Sequence, residues 1–414
     1  MTSMTDLRRD MFAALSVPNF RLFFGGQSIS LIGTWMQTVA QGWLVLELTH
    51  SATMVGLVVA AQTLPILFVA PYGGLVADRV NKRVLLVALQ SILGLLALVL
   101  GILTVTKVVT LWQVFVIAFL LGIVNAFENP TRQSFLLEMV GADHVRNAVS
   151  LNSVMVNGAR AIGPAFAGII IAWGGLGVCF LLNAVSYIAV VASLLLMSVA
   201  TLMPSPPATR GRGQLREGFA YIARTPALLI PLIMMAIIGC FSYEFMVTLP
   251  YMAKEAFMGG ARTYGFMTAA MGLGAVVGGL YVAARGRTGI RTMVRASVVF
   301  GVVILAAALA PHVGFEIVAL FAVGAASVSL MARGNSTLQI TSDPEMRGRV
   351  MAFWAVAFLG TTPLGGPIAG WVAQTFGARW GLILGAVACF VAALVGLAAL
   401  QRHERRAPAQ SPAI

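Results

Sequence analysis

Two sets of residues in this chain have the types and spacing to do chemistry. The first is a polar knot at residues 71–83, PYGGLVADRVNKR, which gathers Gly74, Asp78, Arg79, Lys82 and Arg83 between two apolar runs. A carboxylate at such a place can pair with the N-terminal amides of another helix, where anions are favoured, and so form a breakable latch. The plainer reading is that its cations merely keep the loop on one side of a membrane. Glu128 and Arg132 belong with this set. Their i, i+4 spacing would place them on one helical face, but Pro130 interrupts it. Glu128 is therefore expected to accept Lys82 or Arg83. The second set is a pair of charges inside apolar runs, Arg160 and Glu244. Arg160 lies twelve residues past the start of its run, roughly 18 Å deep at 1.5 Å per residue, and needs a polar cavity and a partner such as Glu244 or Glu128. Glu244, a carboxylate in an apolar wall, becomes a proton-coupling candidate if its surroundings switch between states; otherwise it is a hydrated group in the outer headgroup layer.

The elements that must position these residues follow from composition. The chain has 414 residues, 59% of them hydrophobic and only 10% charged, with mean hydropathy +0.91. A soluble protein of this length carries far more charge. The apolar runs are continuous rather than alternating, which selects membrane helices over a barrel. The expected fold is all-α and polytopic, with twelve transmembrane helices at about 20–46, 52–77, 84–106, 110–131, 148–172, 176–200, 227–250, 262–284, 292–311, 314–334, 349–375 and 379–400. They divide into a six-helix bundle at 1–200, a linker at 201–225, a second six-helix bundle at 226–402 and a tail at 403–414. Within the linker, Leu215, Phe219 and Ile222 share one face, which predicts a short amphipathic helix on the membrane surface.

The net charge of +13 could suggest nucleic acid, but its distribution argues against that. Only Lys107, Lys254, Arg262 and Arg379 fall in one set of alternate loops, and apart from Arg160 all other Lys and Arg fall in the opposite set or the ends. That bias places both termini in the cytoplasm of a bacterial inner (plasma) membrane protein. Residues 1–16 lack a cleavable-signal pattern, so the first span is expected to direct insertion. Cys179, Cys240 and Cys389 are scattered, and His50, His144, His312 and His403 are spread through loops and tails. No metal site, catalytic constellation or Walker loop is therefore expected, and no cofactor; an enzyme is not expected, and ATP-driven transport by this chain alone is disfavoured.

The first span carries Gln27, Ser30, Thr34, Gln37 and Gln41 at spacings of three and four, which is one helical face. Such a face does not point at lipid. With Gln62 and Asn157 it is a candidate cavity lining, suited to a bulky, partly apolar solute.

The knot Gly74-x-x-x-Asp78-Arg79-x-x-Lys82-Arg83 resembles the loop 2–3 signature of the major facilitator superfamily, with Asn81 in a slot where that signature usually has glycine. The fifth span reads Ala159-Arg160-x-x-Gly163-Pro164-x-x-Ala167-Gly168, similar to the span 5 motif of drug:proton antiporters. A stripe in the eighth span, Gly274-x-x-x-Gly278, is expected to pack against it. Asn19-Phe20-Arg21-Leu22, Leu64-Pro65 and the segment from Asp343 to Val350 resemble the branch of macrolide and enterobactin exporters. The resemblance implies the two-bundle major facilitator fold and a latch role for the 71–83 loop. It implies a secondary-active, proton-coupled exporter of a hydrophobic or amphipathic small molecule such as a drug, macrolide or siderophore, working as a monomer in the lipid bilayer. The alternatives are a lysophospholipid or other solute transporter, or an importer, without proton antiport, and a non-transporting receptor or assembly partner. The arginine that many such antiporters carry in span 4 is absent, since Ala118 stands four residues before Gly122.

Overall fold

The computed structural model describes residues 12–77, 79–203, 214–285 and 288–406, and these are helical nearly throughout. In chain order the α-helices are α1 (Pro18–Thr49), α2 (Ala52–Ala77), α3 (Lys82–Val105), α4 (Leu111–Gly174), α5 (Leu176–Leu195), α6 (Gln214–Arg224), α7 (Pro226–Phe241), α8 (Phe245–Tyr251), α9 (Ala261–Arg285), α10 (Ile290–Ala308), α11 (Val313–Thr341), α12 (Arg347–Leu359), α13 (Thr362–Phe376) and α14 (Ala378–Arg406).

Among the described residues, ten helical stretches are long and apolar enough to cross a bilayer. α4 has 64 residues. A straight helix of that length would run ~96 Å, far beyond the ~30 Å hydrocarbon core. Gly141, at φ +70°, breaks it into two limbs, each a span. α1 is 32 residues long, and its polar stripe keeps it out of the ten. With α1 and both limbs of α4 the chain makes twelve spans. Residues 132–147, expected to be a loop, are helical on either side of Gly141. Two spans are broken rather than continuous. The seventh is α7, a three-residue bend at Ser242–Glu244, α8 and a π-helical turn at Met252–Ala256. The eleventh is α12 and α13, separated at Gly360 and Thr361, with proline in the first turn of α13. Proline favours that place because the first amides have no helical partner anyway.

The residues group into two compact units. The first comprises 1–49, 61–209 and 264–269. Here α1 packs on α4 and α5, and α3 on α5. Gly33 lies so close to Asn183 and Ser186 that a Cβ would overlap them, and Gly122 meets the Gln62 carbonyl in the same way. Asn81, in the slot of a family glycine, caps α3 by accepting the Val84 amide at 3.1 Å. The span 5 motif does meet α9, but through Gly265, whose Cβ would lie 2.7 Å from the Pro164 carbonyl. The stripe expected to do this, Gly274 and Gly278, instead faces Phe321 and Ala325 of α11 in the second unit.

The second unit comprises 50–60, 210–263 and 270–414. α10 packs on α14 and α11, and α7 packs on α14, α12 and α13. The start of α2 belongs here: Gly370 of α13 faces Ala52, Gly366 faces Gly56, and Ser51 donates to Gln374 at 2.6 Å. The linker helix α6 forms as expected and leans on α12. Glu217 pairs with Arg349 at 2.8 Å, the Asp343 amide donates to the Tyr221 hydroxyl, and Ile222 is buried while Phe219 is 63% exposed. The Leu215 side chain lies outside the described residues.

Candidate functional site

Glu244 sits at the bend between α7 and α8, and its surroundings explain why the bend is there. Its carbonyl accepts the Val247 and Thr248 amides at 3.0 Å, which starts α8. Neighbouring residues anchor the bend on three sides. Ser242 donates to the Gly385 carbonyl of α14 at 2.7 Å, and Tyr243 donates to the Ser327 carbonyl of α11 at 2.8 Å. The Tyr243 ring stands edge-on to Phe358 of α12 at 4.7 Å and near Phe300 of α10 at 5.3 Å. The backbone at Glu244 is therefore held at a fixed place.

That place is the second helix break. Thr362, first residue of α13, lies against the carboxylate. A Cβ on Gly365 would stand 3.0 Å from Oε1, and one on Gly366 3.3 Å from Oε2. Gly365 first makes room for the Cys240 carbonyl of α7 and Gly366 for Gly56 of α2, and both also leave space for the acid. The first turn of a helix presents amides with no helical partner and favours an anion. Glu244 is only 3% exposed, and its Oε1 has no hydrogen-bond partner. An ionisable group so placed, with one oxygen unengaged, can take up a proton and release it when either broken helix moves.

The charges of the first unit are arranged differently. Arg132 donates from Nε to Glu128 Oε1 at 3.0 Å, and Gln90 donates to the same oxygen at 3.0 Å. Arg132 also reaches Asn152 and Asn129. Pro130 lies within the helix without disturbing the i, i+4 pairing, because proline deletes its own amide and leaves the side chains on one face. Neither Lys82 nor Arg83 reaches Glu128 as expected. Lys82 pairs with Glu138 at 2.6 Å, and both side chains are nearly buried. Arg83 donates to the carbonyls of Leu194 and Leu195 at the end of α5, a favourable place for a cation. Arg79 is exposed, Gly74 lies within α2, and Asp78 lies outside the described residues.

Arg160 stands over the Trp35 ring at 4.7 Å. A Cβ on Gly163 would lie 2.6 Å from the Trp35 Cβ, so the span 5 motif and α1 touch at this level, while Pro164 and Gly168 meet Gly265. The α1 stripe is largely buried. Gln37 accepts from Asn183 at 2.7 Å, Thr34 bonds the Tyr187 hydroxyl at 3.2 Å, and Gln41 donates to Gln62 at 3.2 Å. Gln27 and Ser30 are buried, and Gln27 Oε1 has no partner. Asn157 donates to the Ser153 carbonyl of its own helix. Much of the stripe therefore joins α1 to α5 and α2. Sequence reasoning overlooked Glu138 and Glu316. Glu138 stands among residues expected to be a loop, and Glu316 reads as an ordinary acid of a helix start.

The sequence profile of the transmembrane secretion effector family matches residues 9–412. The chain is 28% identical over 420 aligned positions to the enterobactin exporter EntS of Escherichia coli K12, covering 95% of each. It is 32% identical over 186 residues to the staphyloferrin A transporter of Staphylococcus aureus, an alignment covering 44% of this chain and 47% of that one; this alignment spans about half the relative's length. Among solved structures, a bacterial homologue of the lysosomal transporter Spinster superposes with TM-score 0.73 at 13% identity, covering 92% of this chain and 96% of that one. The nucleoside transporter NupG gives 0.72 at 16% identity, covering 93% and 99%. These likenesses establish the fold. The chain belongs to the transmembrane secretion effector family, and it is a multi-pass membrane transporter of the major facilitator superfamily rather than an enzyme.

Proposed function

We propose that this protein exports a hydrophobic or amphipathic small molecule by alternating access, driven by protons that enter as the cargo leaves, as a monomer in a bacterial inner membrane with both termini in the cytoplasm. The observation that carries this reading is Glu244, a buried carboxylate with a free oxygen set at the breaks of two spans. Movement of α13 or α8 changes its surroundings directly, which is what coupling needs. The loop of Gly74, Asp78, Arg79, Lys82 and Arg83 serves as the cytoplasmic latch, with Lys82 and Arg83 held in place by Glu138 and the end of α5. A siderophore is the favoured cargo. Similarity to a named enterobactin exporter runs over almost the whole chain, and Arg160 over Trp35 offers a cation beside an aromatic face.

The test uses acid-loaded inside-out vesicles containing a pH dye, to which macrolides, cationic dyes, catecholate siderophores, hydroxycarboxylate siderophores and lysolipids are added singly. A catecholate or hydroxycarboxylate siderophore is expected to dissipate the gradient only when the protein is present. Movement of labelled lysolipid with no proton release would instead favour a lysophospholipid transporter.

A further inference from the structure

The proposed transport cycle gives the linker helix α6 no task. Thr225 alone separates it from α7, which starts at Pro226. One side of α6 is anchored on the start of α12. A Cβ on Gly218 would stand 3.1 Å from the Arg349 Cβ, Glu217 pairs with Arg349 at 2.8 Å, and the Tyr221 hydroxyl accepts the Asp343 amide at 3.1 Å. Ile222 is buried on the same side. α7 and α12 both begin membrane spans. α6 therefore lies at the level where two spans enter the bilayer, on the side of the basic loops.

The opposite side of α6 carries the inference. At 100° per residue, Arg216, Phe219, Ala220, Ala223 and Arg224 share an arc turned away from Gly218, Tyr221 and Ile222. Arg216, Phe219, Ala223 and Arg224 are exposed. The arc is apolar along one edge, at Phe219 and Ala223, and basic along the other, at Arg216 and Arg224. The Phe219 ring lies beside the Phe353 ring of α12, with centroids 6.1 Å apart. Phe353 stands six residues past Arg347, where its span begins, about 9 Å along the helix at 1.5 Å per residue. That contact turns the apolar edge of α6 toward the bilayer. A helix lying in the interface buries its apolar side by roughly 5–10 Å and sets its cations among the headgroups. Of the nearby acids, Glu217 is paired with Arg349, and Asp343, two residues before Glu345, meets α6 from the anchored side. The sequence adds Arg210 and Arg212 ahead of the helix, outside the described residues.

We propose that this side of α6 docks on anionic phospholipid headgroups of the leaflet beside the basic loops, with Phe219 and Ala223 at the acyl boundary and Arg216 and Arg224 on the phosphates. Zwitterionic headgroups offer the arginines no net charge, so the partner is an anionic lipid. The docked helix fastens the linker to the membrane next to the start of α12, and the charge of that leaflet sets how firmly it is held.

The test is spin-label accessibility at Ala223→Cys in the full-length protein. Cys179, Cys240 and Cys389 are buried, so the label goes to the new thiol. The protein is placed in phosphatidylcholine vesicles with and without phosphatidylglycerol. The label is then challenged with oxygen, which concentrates in lipid, and with a water-soluble nickel chelate present on both sides of the membrane. With phosphatidylglycerol, the label is expected to be open to oxygen and shielded from the chelate. Each arginine near an anionic surface favours docking about fivefold, so Arg216→Gln combined with Arg224→Gln should lower the docked-to-free ratio roughly 25-fold. Added salt should free the label in the protein that keeps both arginines, and this serves if the double variant does not fold. A label equally open to the chelate with and without phosphatidylglycerol overturns the proposal. Shielding from both reagents also overturns it and assigns this side of α6 to protein contact. Oxygen access that needs neither phosphatidylglycerol nor the arginines overturns the anionic partner and leaves apolar contact alone.

Discussion

Among the described residues, the buried acids of the first unit, Glu128 and Glu138, are paired at hydrogen-bonding distance, whereas Glu244 and Glu316 of the second have unpartnered oxygens. In the first, Lys82 has Glu138, and Glu128 has Arg132 and Gln90, all at hydrogen-bonding distance. In the second, Glu244 has one oxygen with no hydrogen-bond partner and Glu316 has two. Fully paired buried charges hold one arrangement, since separating them leaves each without compensation. Under-satisfied acids can exchange a proton, because neither charge state is locked by a full set of bonds. On the proposed reading, the contrast separates structural charge from working charge within one chain. Helix breaks flank Glu244, whereas Glu128 lies well inside the first limb of α4 and Glu138 three residues before its break at Gly141.

That contrast can be broken experimentally. The largest effect on stability is expected from Lys82→Ala, which removes the 2.6 Å partner of the nearly buried Glu138 and should cost ~3–5 kcal/mol, read by unfolding of the purified protein in detergent. Replacing both partners by Met and Leu should recover much of it, since a well-packed apolar pair can substitute for a buried ion pair. Next is Gly370→Val, whose added atoms would run into the Ala52 carbonyl, with an expected loss of ~1–3 kcal/mol in the same assay. Glu217→Ala removes a largely exposed partner of Arg349 and should cost less than ~1 kcal/mol. The smallest change in stability is expected for Glu244→Gln, since it keeps the shape and removes only an incompletely bonded charge. A large loss there would place Glu244 with the structural charges of the first unit.

Much of the fold is legible in the sequence because bilayer physics allows few solutions. The twelve spans follow from run length and composition. Gly141 was harder to read: a loop was expected at 132–147, and a single left-handed glycine makes the turn instead. The candidate site was partly legible. Glu244 stands out as a carboxylate in an apolar run, yet nothing in its own span shows that Gly365 and Gly366 make room for it, because that contact joins segments over a hundred residues apart. The Lys82 partner was misassigned for the same reason: composition offered Glu128, and only helix geometry places Glu138 within reach. The α1 stripe shows the limit of periodicity. Its spacing identifies a face that avoids lipid, but not whether that face meets a solute or, as Gln37 does, a neighbouring helix.

The most direct measurement of the central claim is substrate-driven proton release from proteoliposomes containing the Glu244→Gln variant, run beside exchange of labelled siderophore across the same membranes. If Glu244 carries the coupled proton, the variant exchanges siderophore but releases no protons. If it releases protons in step with siderophore export as the unaltered protein does, Glu244 is not the coupling group and the contrast between the two units is structural only.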